Sequence, residues 1–397
     1  MSRIDELIAE LAPRGVEVKA LGEVGEFIRG NGLQKADLRD AGFPAVHYGQ
    51  IHTHYGVWAT ETKSFTDENI AVKLRHARPG DLLIATTSED DDAVAKATAW
   101  LGNTDVALSG DAYIYRHELE PKYMSYFFQS TSFQDQKRRF VSGTKVRRVS
   151  GDSLAKIRIP VPPLDVQREI VRILDQFTQL EAELEAELEA RRRQYEHYKK
   201  VLLTVSEETQ WGCVGDICRV FGGAPFKSDY FNDLGDGLPV VRIRDINSGF
   251  SGTFYSGPFD EKYRVRDGDV LIGMDGDFKT VRWTHGDAVL NQRVSRLQDF
   301  DGENDPAFIF YLVRDAIKRI QDVTQASTVK HLSTKQIAGI RIPRLPLDEQ
   351  RERSAALDKF DALVNDLSVG LPAELAARRK QYEYYRDKLL TFKELAA

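Results

Sequence analysis

Two textures of apolar and polar positions alternate along the chain. The first is a narrow stripe: Val166, Ile170, Ile173, Phe177, Leu180, Leu184, Leu188, Tyr195, Tyr198 and Leu202 recur mostly at steps of three and four, with neither glycine nor proline between Pro163 and about Val205. Such spacing predicts a helix of some 40 residues, roughly 60 Å of rod, with a coiled-coil seam along one side. Its other faces are charged, as in the run EAELEAELEAR from Glu181 to Arg191. A helix this long does not persist alone in water, so its stripe must meet another surface. A second stripe offers one: Leu357, Phe360, Leu363, Leu367, Leu371, Leu375, Tyr382, Tyr385 and Leu389. The expected arrangement is an antiparallel pair; the alternative is that each helix packs on its own neighbouring domain.

The second texture fills the space between the stripes with short β-branched runs bounded by Gly, Pro, Asp and Ser, which signal strands. The first half has Pro44 to His52, Arg78 to Thr87, Asp105 to Arg116, a helix around Tyr123 to Phe140, and Ser142 to Pro160. The second answers in the same order with Pro239 to Ile246, Arg266 to Gly276, Asp287 to Leu297, a helix around Ala307 to Val323, and Ala326 to Pro343. The joints repeat more plainly. IRIPVPPLDVQRE (Ile157 to Glu169) returns as IRIPRLPLDEQRE (Ile340 to Glu352), and RRRQYEHYKKVLLT (Arg191 to Thr204) as RRKQYEYYRDKLLT (Arg378 to Thr391). A repeat on this scale fixes the architecture before any local reading does. Pro160 and Pro343 lie 183 positions apart, whereas Gln194 and Gln381 lie 187 apart, so the second copy carries four extra residues. These include Gly370-Leu371-Pro372, where a break confined to the second helix is expected, because proline lacks the backbone donor and clashes with the preceding turn. The chain is therefore expected to be mixed α+β or α/β. It should hold two domains, 1–156 and 206–339, each followed by a helical spacer, 157–205 and 340–397, in a pseudo-two-fold arrangement.

Composition refines this only a little. The 397 residues carry a net charge of −6, so a global positive field for nucleic acid is absent, and no segment is strongly basic. Local clusters remain at Lys137-Arg138-Arg139 and at Lys145 with Arg147-Arg148. No run of about 18 apolar residues offers a membrane span, and the opening MSRIDELIAELAPRG alternates charge with leucine, so a soluble, cytosolic protein with no membrane partner is expected. Cys213 and Cys218 are too few for a structural zinc site and read as reduced thiols. The histidines from His47 to His54 would be divided between the faces of a strand, so no metal site is expected there.

With these pieces in order, the whole chain resembles the specificity subunits of type I restriction-modification systems. The resemblance rests on Pro163-Leu164-Asp165-Val166-Gln167 and Pro346-Leu347-Asp348-Glu349-Gln350 opening the two spacers, and on the turns Gly80-Asp81-Leu82-Leu83 and Gly268-Asp269-Val270-Leu271. One departure is that Arg-Glu-Ile after Gln167 becomes Arg351-Glu352-Arg353-Ser354 in the second copy, which leaves the equivalence of the two helix starts open. The resemblance implies two target recognition domains that each read half of a bipartite, asymmetric DNA sequence. It also implies helices that set the gap between the half-sites and dock two methyltransferase subunits, to which restriction subunits are added. The chain would then be non-catalytic and bind no cofactor itself, with S-adenosylmethionine, ATP and magnesium on the partners. In keeping with this, the sequence has no phosphate-binding P-loop, no glycine-rich dinucleotide fingerprint and no Asn/Asp-Pro-Pro-Tyr/Phe segment. A coiled-coil scaffold whose domains bind protein is the reading from another class, and a stand-alone nuclease or methyltransferase a third.

Base reading needs Arg or Lys against guanine, Asn or Gln against adenine, and acidic groups against cytosine amino groups, carried on loops that enter a groove. The loop Thr86 to Lys96 offers Ser88, Asp90 and Lys96, although its three consecutive aspartates equally suit a solvated turn. Its counterpart, Gly273 to Trp283, offers Lys279 and Arg282, and the next strand Gln292 and Arg293. The corresponding loops Ser142 to Ser150 and Ala326 to Ser333 carry Lys145, Arg147, Arg148, Lys330 and His331, suited to phosphate or base contacts or to salt bridges where domain meets helix.

Overall fold

The computed structural model describes residues 3–248, 250–276, 278–324, 331–366 and 368–395. The chain divides into two compact units, one comprising Met1–Ala186 with Glu374–Ala397, the other Glu187–Ala373. The central helix, Leu164–Leu203, passes from the first unit into the second. No helix among the described residues is long and apolar enough to cross a membrane.

In the first unit a five-stranded sheet runs in the order Gly25–Arg29, Ala112–His117, Leu82–Ala85, Lys96–Trp100, Trp58–Ala59; all neighbours pair antiparallel except the last two. A four-stranded sheet follows the order Ser64–Thr66, Phe43–Val46, Val106–Leu108, His76–Ala77. The second unit repeats both. One sheet is ordered Arg219–Gly222, Val294–Gln298, Val270–Gly273, Thr280–Arg282, and the other Phe231–Asn232, Phe254–Tyr255, Leu238–Val241, Ala288–Leu290, Arg264–Val265. Leu82–Ala85 and Val270–Gly273 are buried at every position, which explains why they read as continuous apolar runs rather than as alternating strands.

Three local expectations are corrected. The segment 44–52 is not one strand: it leaves the sheet at Val46, and His47 caps a short helix, Tyr48–Thr53, its Nδ1 accepting from the Gly49 amide at 3.3 Å. The argument from strand alternation therefore does not apply to His52. The single helix expected around Tyr123 to Phe140 is two, Pro121–Gln129 and Thr131–Lys137. Ser130 divides them, with extended backbone and a hydroxyl that accepts from the Phe133 amide, which makes it the N-cap of the second. The break in the second spacer begins earlier than expected: its first helix, Leu347–Asn365, ends before Asp366, and the next, Leu371–Leu389, already contains Pro372 in its first turn. Proline is tolerated there because the first-turn amides have no helical partner. Gly370 is the residue that permits the turn, since a Cβ on it would lie 2.4 Å from the Ala362 carbonyl oxygen and 2.7 Å from that of Leu363.

Each unit contains its own stretch of antiparallel helix pair. In the first, Phe177 stacks on Tyr385 with ring centroids 5.4 Å apart, while Arg379 reaches Glu181 at 2.6 Å and also Glu185. In the second, Tyr198 stacks on Phe360 at 5.1 Å, the same pair with the roles of the helices exchanged. Among the expected seam positions, Leu188, Tyr195, Leu375 and Tyr382 are buried, and Leu184, Leu202 and Leu389 are half-buried. Leu180 and Leu363 are not seam residues. They occupy equivalent places, are 47% and 37% exposed, and leave the inward face to Leu174, Leu357 and Val364. A straight helix at 3.6 residues per turn drifts off a 3.5-residue repeat, which removes one position from each stripe. Leu367 lies outside the described residues.

Candidate nucleic-acid interface

The motif that opens each spacer is a clasp between helix and domain. Gln167 is buried; its Oε1 accepts from the Glu120 amide at 2.9 Å and its Nε2 donates to the Pro162 carbonyl at 2.8 Å. Gln350 is buried and makes the same two bonds, from the Asp305 amide at 2.9 Å and to the Leu345 carbonyl at 2.8 Å. Both amides precede a helix whose first residue is proline, Pro121 or Pro306, so the buried glutamine satisfies a backbone donor at a half-buried helix start. About two turns further along each spacer helix, Asp175 accepts from Tyr126 and Asp358 accepts from Tyr311. Beyond that, Tyr382 meets Gln129 at 2.9 Å, and Tyr195 meets Arg314. Each recognition-type domain is therefore seated on its spacer by one repeated set of contacts.

The departure after the glutamine has a physical account. Ile170 is fully buried in the first unit's core. Its counterpart Arg353 turns away to donate to the Leu202 and Thr204 carbonyls, at 2.6 and 3.0 Å, closing the end of the central helix. Equivalence of the two helix starts thus holds at the glutamine and fails three residues later.

Above this common seat, the two candidate loops of each unit are zipped together. In the first unit Arg147 pairs with Ser88 and Arg148 with Thr87 in an antiparallel bridge, continued by the Val149 amide donating to Thr86 at 3.2 Å. In the second, Asp275 pairs with His331 and the Leu332 amide donates to Met274 at 2.7 Å. Ser150 and Ser333 then cap the helices that follow, each accepting from an amide three residues on at 3.2 Å.

The acidic loop of the first unit is not merely a solvated turn. Lys137 is fully buried beneath it, and its ammonium donates to the carbonyls of Asp91, Asp92 and Val94 at 2.8, 3.1 and 2.9 Å, which uses all three protons. Burial pushes its pKa down to about 8, with the neighbouring aspartates opposing, so it stays charged at neutral pH. From above, Arg147 reaches Asp91 at 2.8 Å and the Gly143 carbonyl. The Lys137-Arg138-Arg139 cluster therefore starts with a structural cation, and Arg138 pairs with Asp135.

The remaining candidates scatter. Ser88 is half-exposed at the bridge, Asp90 is exposed and accepts from the Asp92 amide, and Lys145 is exposed. Lys96 turns inward and donates to the His52 carbonyl at 3.1 Å, and burial lowers its pKa. Arg282 also turns inward: its guanidinium meets Asp358 at 2.5 and 3.1 Å and lies over Phe310, making it one of the domain–helix salt bridges. Nearby, burial acts to raise the Asp361 carboxyl, but Arg314 and hydrogen bonds from Tyr195 and Asn365 hold it below its ordinary range. Lys279 and Gln292 are exposed, and Arg293 is exposed and paired with Asp275 at 3.1 Å. Lys330 lies outside the described residues; His331 meets Asp275 at 2.5 Å.

Two features had no counterpart among the sequence candidates. One is a cleft of about 410 Å³ beside the first unit's bridge, lined by Arg29, Thr86, Thr87, Asp111, Tyr113, Ser142 and Arg148 among others. The other is Asp275 as the centre of a polar cluster with Arg293 and His331. Aligning the repeat would have paired Asp111 with Arg293 and Thr87 with Asp275, but nothing in one copy alone points to Arg29.

A duplicated α+β domain, each copy clasped to a long helix and crowned by dissimilar loops, defines a class of paired recognition modules on a helical spacer. The family model described as the type I restriction modification DNA specificity domain matches residues 13–190 and again 206–377. The chain belongs to this family. It is 33% identical over 170 residues to the Type I restriction enzyme EcoBI specificity subunit of Escherichia coli, covering 43% of this chain and 36% of that one. With the EcoR124I/EcoR124II specificity subunit of the same organism it shares 31% over 276 residues, 64% of this chain and 67% of that one. The fold is shared with the S subunit of a type I restriction-modification system from M. genitalium, at a TM-score of 0.59 and 14% identity over 94% of this chain and 96% of that. A chain from a structure concerned with assembly and conformational transition of the type I R-M system gives 0.57 and 19%, over 95% and 98%.

Proposed function

We propose that this chain is the sequence-reading subunit of a type I restriction-modification complex, non-catalytic in itself, acting on double-stranded DNA in the cytoplasm. Each unit reads one short half of a bipartite target. The helices fix the gap between the halves and carry two methyltransferase subunits, to which restriction subunits attach. On this reading S-adenosylmethionine serves the methyltransferase, and ATP and magnesium the restriction subunits. The observation that carries it is the contrast inside the repeat: the clasp from Gln167 to Tyr126 and Asp175 recurs contact for contact at Gln350, Tyr311 and Asp358, whereas the bridged loops above it share backbone but not side chains. Two seats alike in their clasp but holding two different readers suit an asymmetric target with a fixed gap, since half-site separation follows from the geometry that joins the readers. The charge pattern agrees: with no basic field, affinity would come from local contacts and from partners. The test is to co-express the chain with its methyltransferase subunit and map methyladenine genome-wide. A motif of two unlike halves around a constant gap is expected. A continuous motif, or no sequence preference, would overturn the proposal.

A further inference from the structure

The bridge between the loops places side chains at three equivalent positions in the two units. Strand register equates Leu82–Ala85 with Val270–Gly273 and Ala112 with Val294, so Thr87 corresponds to Asp275 and Asp111 to Arg293. The bridges equate Arg148 with His331. The backbone is held alike in both units, yet all three side chains differ. In the first unit, neighbours on the two-residue strand point to opposite sides. Arg147 is consumed by Asp91, while Arg148 lines the cleft, is exposed, and has a side chain that makes no hydrogen bond or ion pair among the described residues. The acid beside it, Asp111, is faced by Arg29 at 3.9 Å. In the second unit Asp275 sits at the centre instead, with Oδ1 toward His331 at 2.5 Å and Oδ2 toward Arg293 at 3.1 Å. Two of its roughly four acceptor sites are thereby used and about two remain. The flanking cation also offsets the repulsion that a bare carboxylate would meet near phosphates.

We infer that these positions determine which bases are read. Arg148 presents a free guanidinium fork to guanine O6 and N7, and Asp275 presents its remaining lone pairs to an exocyclic amino group, adenine N6 or cytosine N4. In the second unit Arg293 and His331 orient Asp275, and Arg293 offsets its charge; in the first, Thr87 and Asp111 line the same cleft as Arg148. The proposal rests on the function given above and adds the residues that carry it.

The experiment uses the full chain in complex with its methyltransferase. Methyladenine maps and competition with duplexes substituted at each half-site position are compared for the wild type, Arg148→Ala, Arg148→Lys and Asp275→Asn. Arg148→Ala should relax one guanine position in one half-site, lowering discrimination there by about 10- to 100-fold, the worth of a bidentate contact. The other half-site and the gap should stay as they are. Arg148→Lys keeps the charge but replaces the fork by a point charge, so it should relax the same position by less than Arg148→Ala does. Asp275→Asn should change one position in the other half-site alone. Uniform weakening on every duplex with the motif intact would assign Arg148 to phosphate and overturn the inference, as would full retention of specificity by Arg148→Ala. A wild-type complex without a bipartite motif would instead refute the underlying function, so the two failures are distinct.

Discussion

Replacing Gln167 with leucine, which keeps the shape and removes the polar atoms, tests the clasp most directly. The side chain is 2% exposed and makes two bonds of 2.9 and 2.8 Å, so neither partner can turn to water once it is gone. Losing two neutral bonds at about 1 kcal/mol each, and stranding one amide and one carbonyl at about 1–3 kcal/mol each, outweighs what leucine gains by burial; the net cost should be about 2–4 kcal/mol. Gln350→Leu should cost at least as much, because Gln350 has a third bond, to Asn304 at 3.2 Å. Urea unfolding followed by circular dichroism measures the loss, and hydrogen exchange locates it. The Glu120 amide should lose protection in Gln167→Leu, and the Asp305 amide in Gln350→Leu. A cost under about 0.5 kcal/mol, with Glu120 still protected, would show that water or a neighbouring group replaces the glutamine and that the repeated motif is not a clasp.

Three further perturbations bear on the same account. Lys137→Met removes three charge-assisted bonds but also relieves the desolvation that depresses the lysine, so a modest loss of about 1–3 kcal/mol is expected, with rapid exchange or proteolysis across Asp90 to Val94; an unaltered loop would refute the anchoring role. His117 is held neutral, with a pKa lowered to about 4 chiefly by burial, which outweighs the opposing pull of Asp81. Because the unfolded chain takes up this proton first, its contribution is full above about pH 6.5 and is lost as pH falls towards 4, by about 3 kcal/mol at most; His117→Phe should flatten stability against pH across that window, and an unchanged slope would exclude the histidine as the source. Gly370→Ala drives a Cβ to 2.4 Å from the Ala362 carbonyl oxygen and should cost about 1–3 kcal/mol by thermal melting, whereas an unchanged melting temperature would show that the turn yields freely.

What could be read in advance follows from the range of the physics involved. The duplication, the helix Leu164–Leu203 and the four-residue offset depend on patterns local to a helix or on direct repetition, and these the chain displays openly. Errors came where a single residue decides between local states: Ser130 divides a helix because its hydroxyl can cap, and His47 ends a strand for the same reason. The two candidate loops of each unit do lie side by side, joined by the bridges, but their side chains are not equally available. Arg282 and Lys96 look like groove cations in the sequence and are drawn inward by Asp358 and the His52 carbonyl, partners 76 and 44 residues away. Conversely, the loop of three aspartates that equally suits a solvated turn is backed by Lys137 and Arg147.

By itself, then, the sequence determined that this protein is a repeated recognition domain on long helices, because hydrophobic period and internal repetition are properties of the linear chain. Which cations remain free was decided by the tertiary structure alone. A charged side chain is neutralised by whatever lies within a few ångströms of it, and in this fold the partners of Arg147, Arg282 and Asp275 arrive from distant strands and helices.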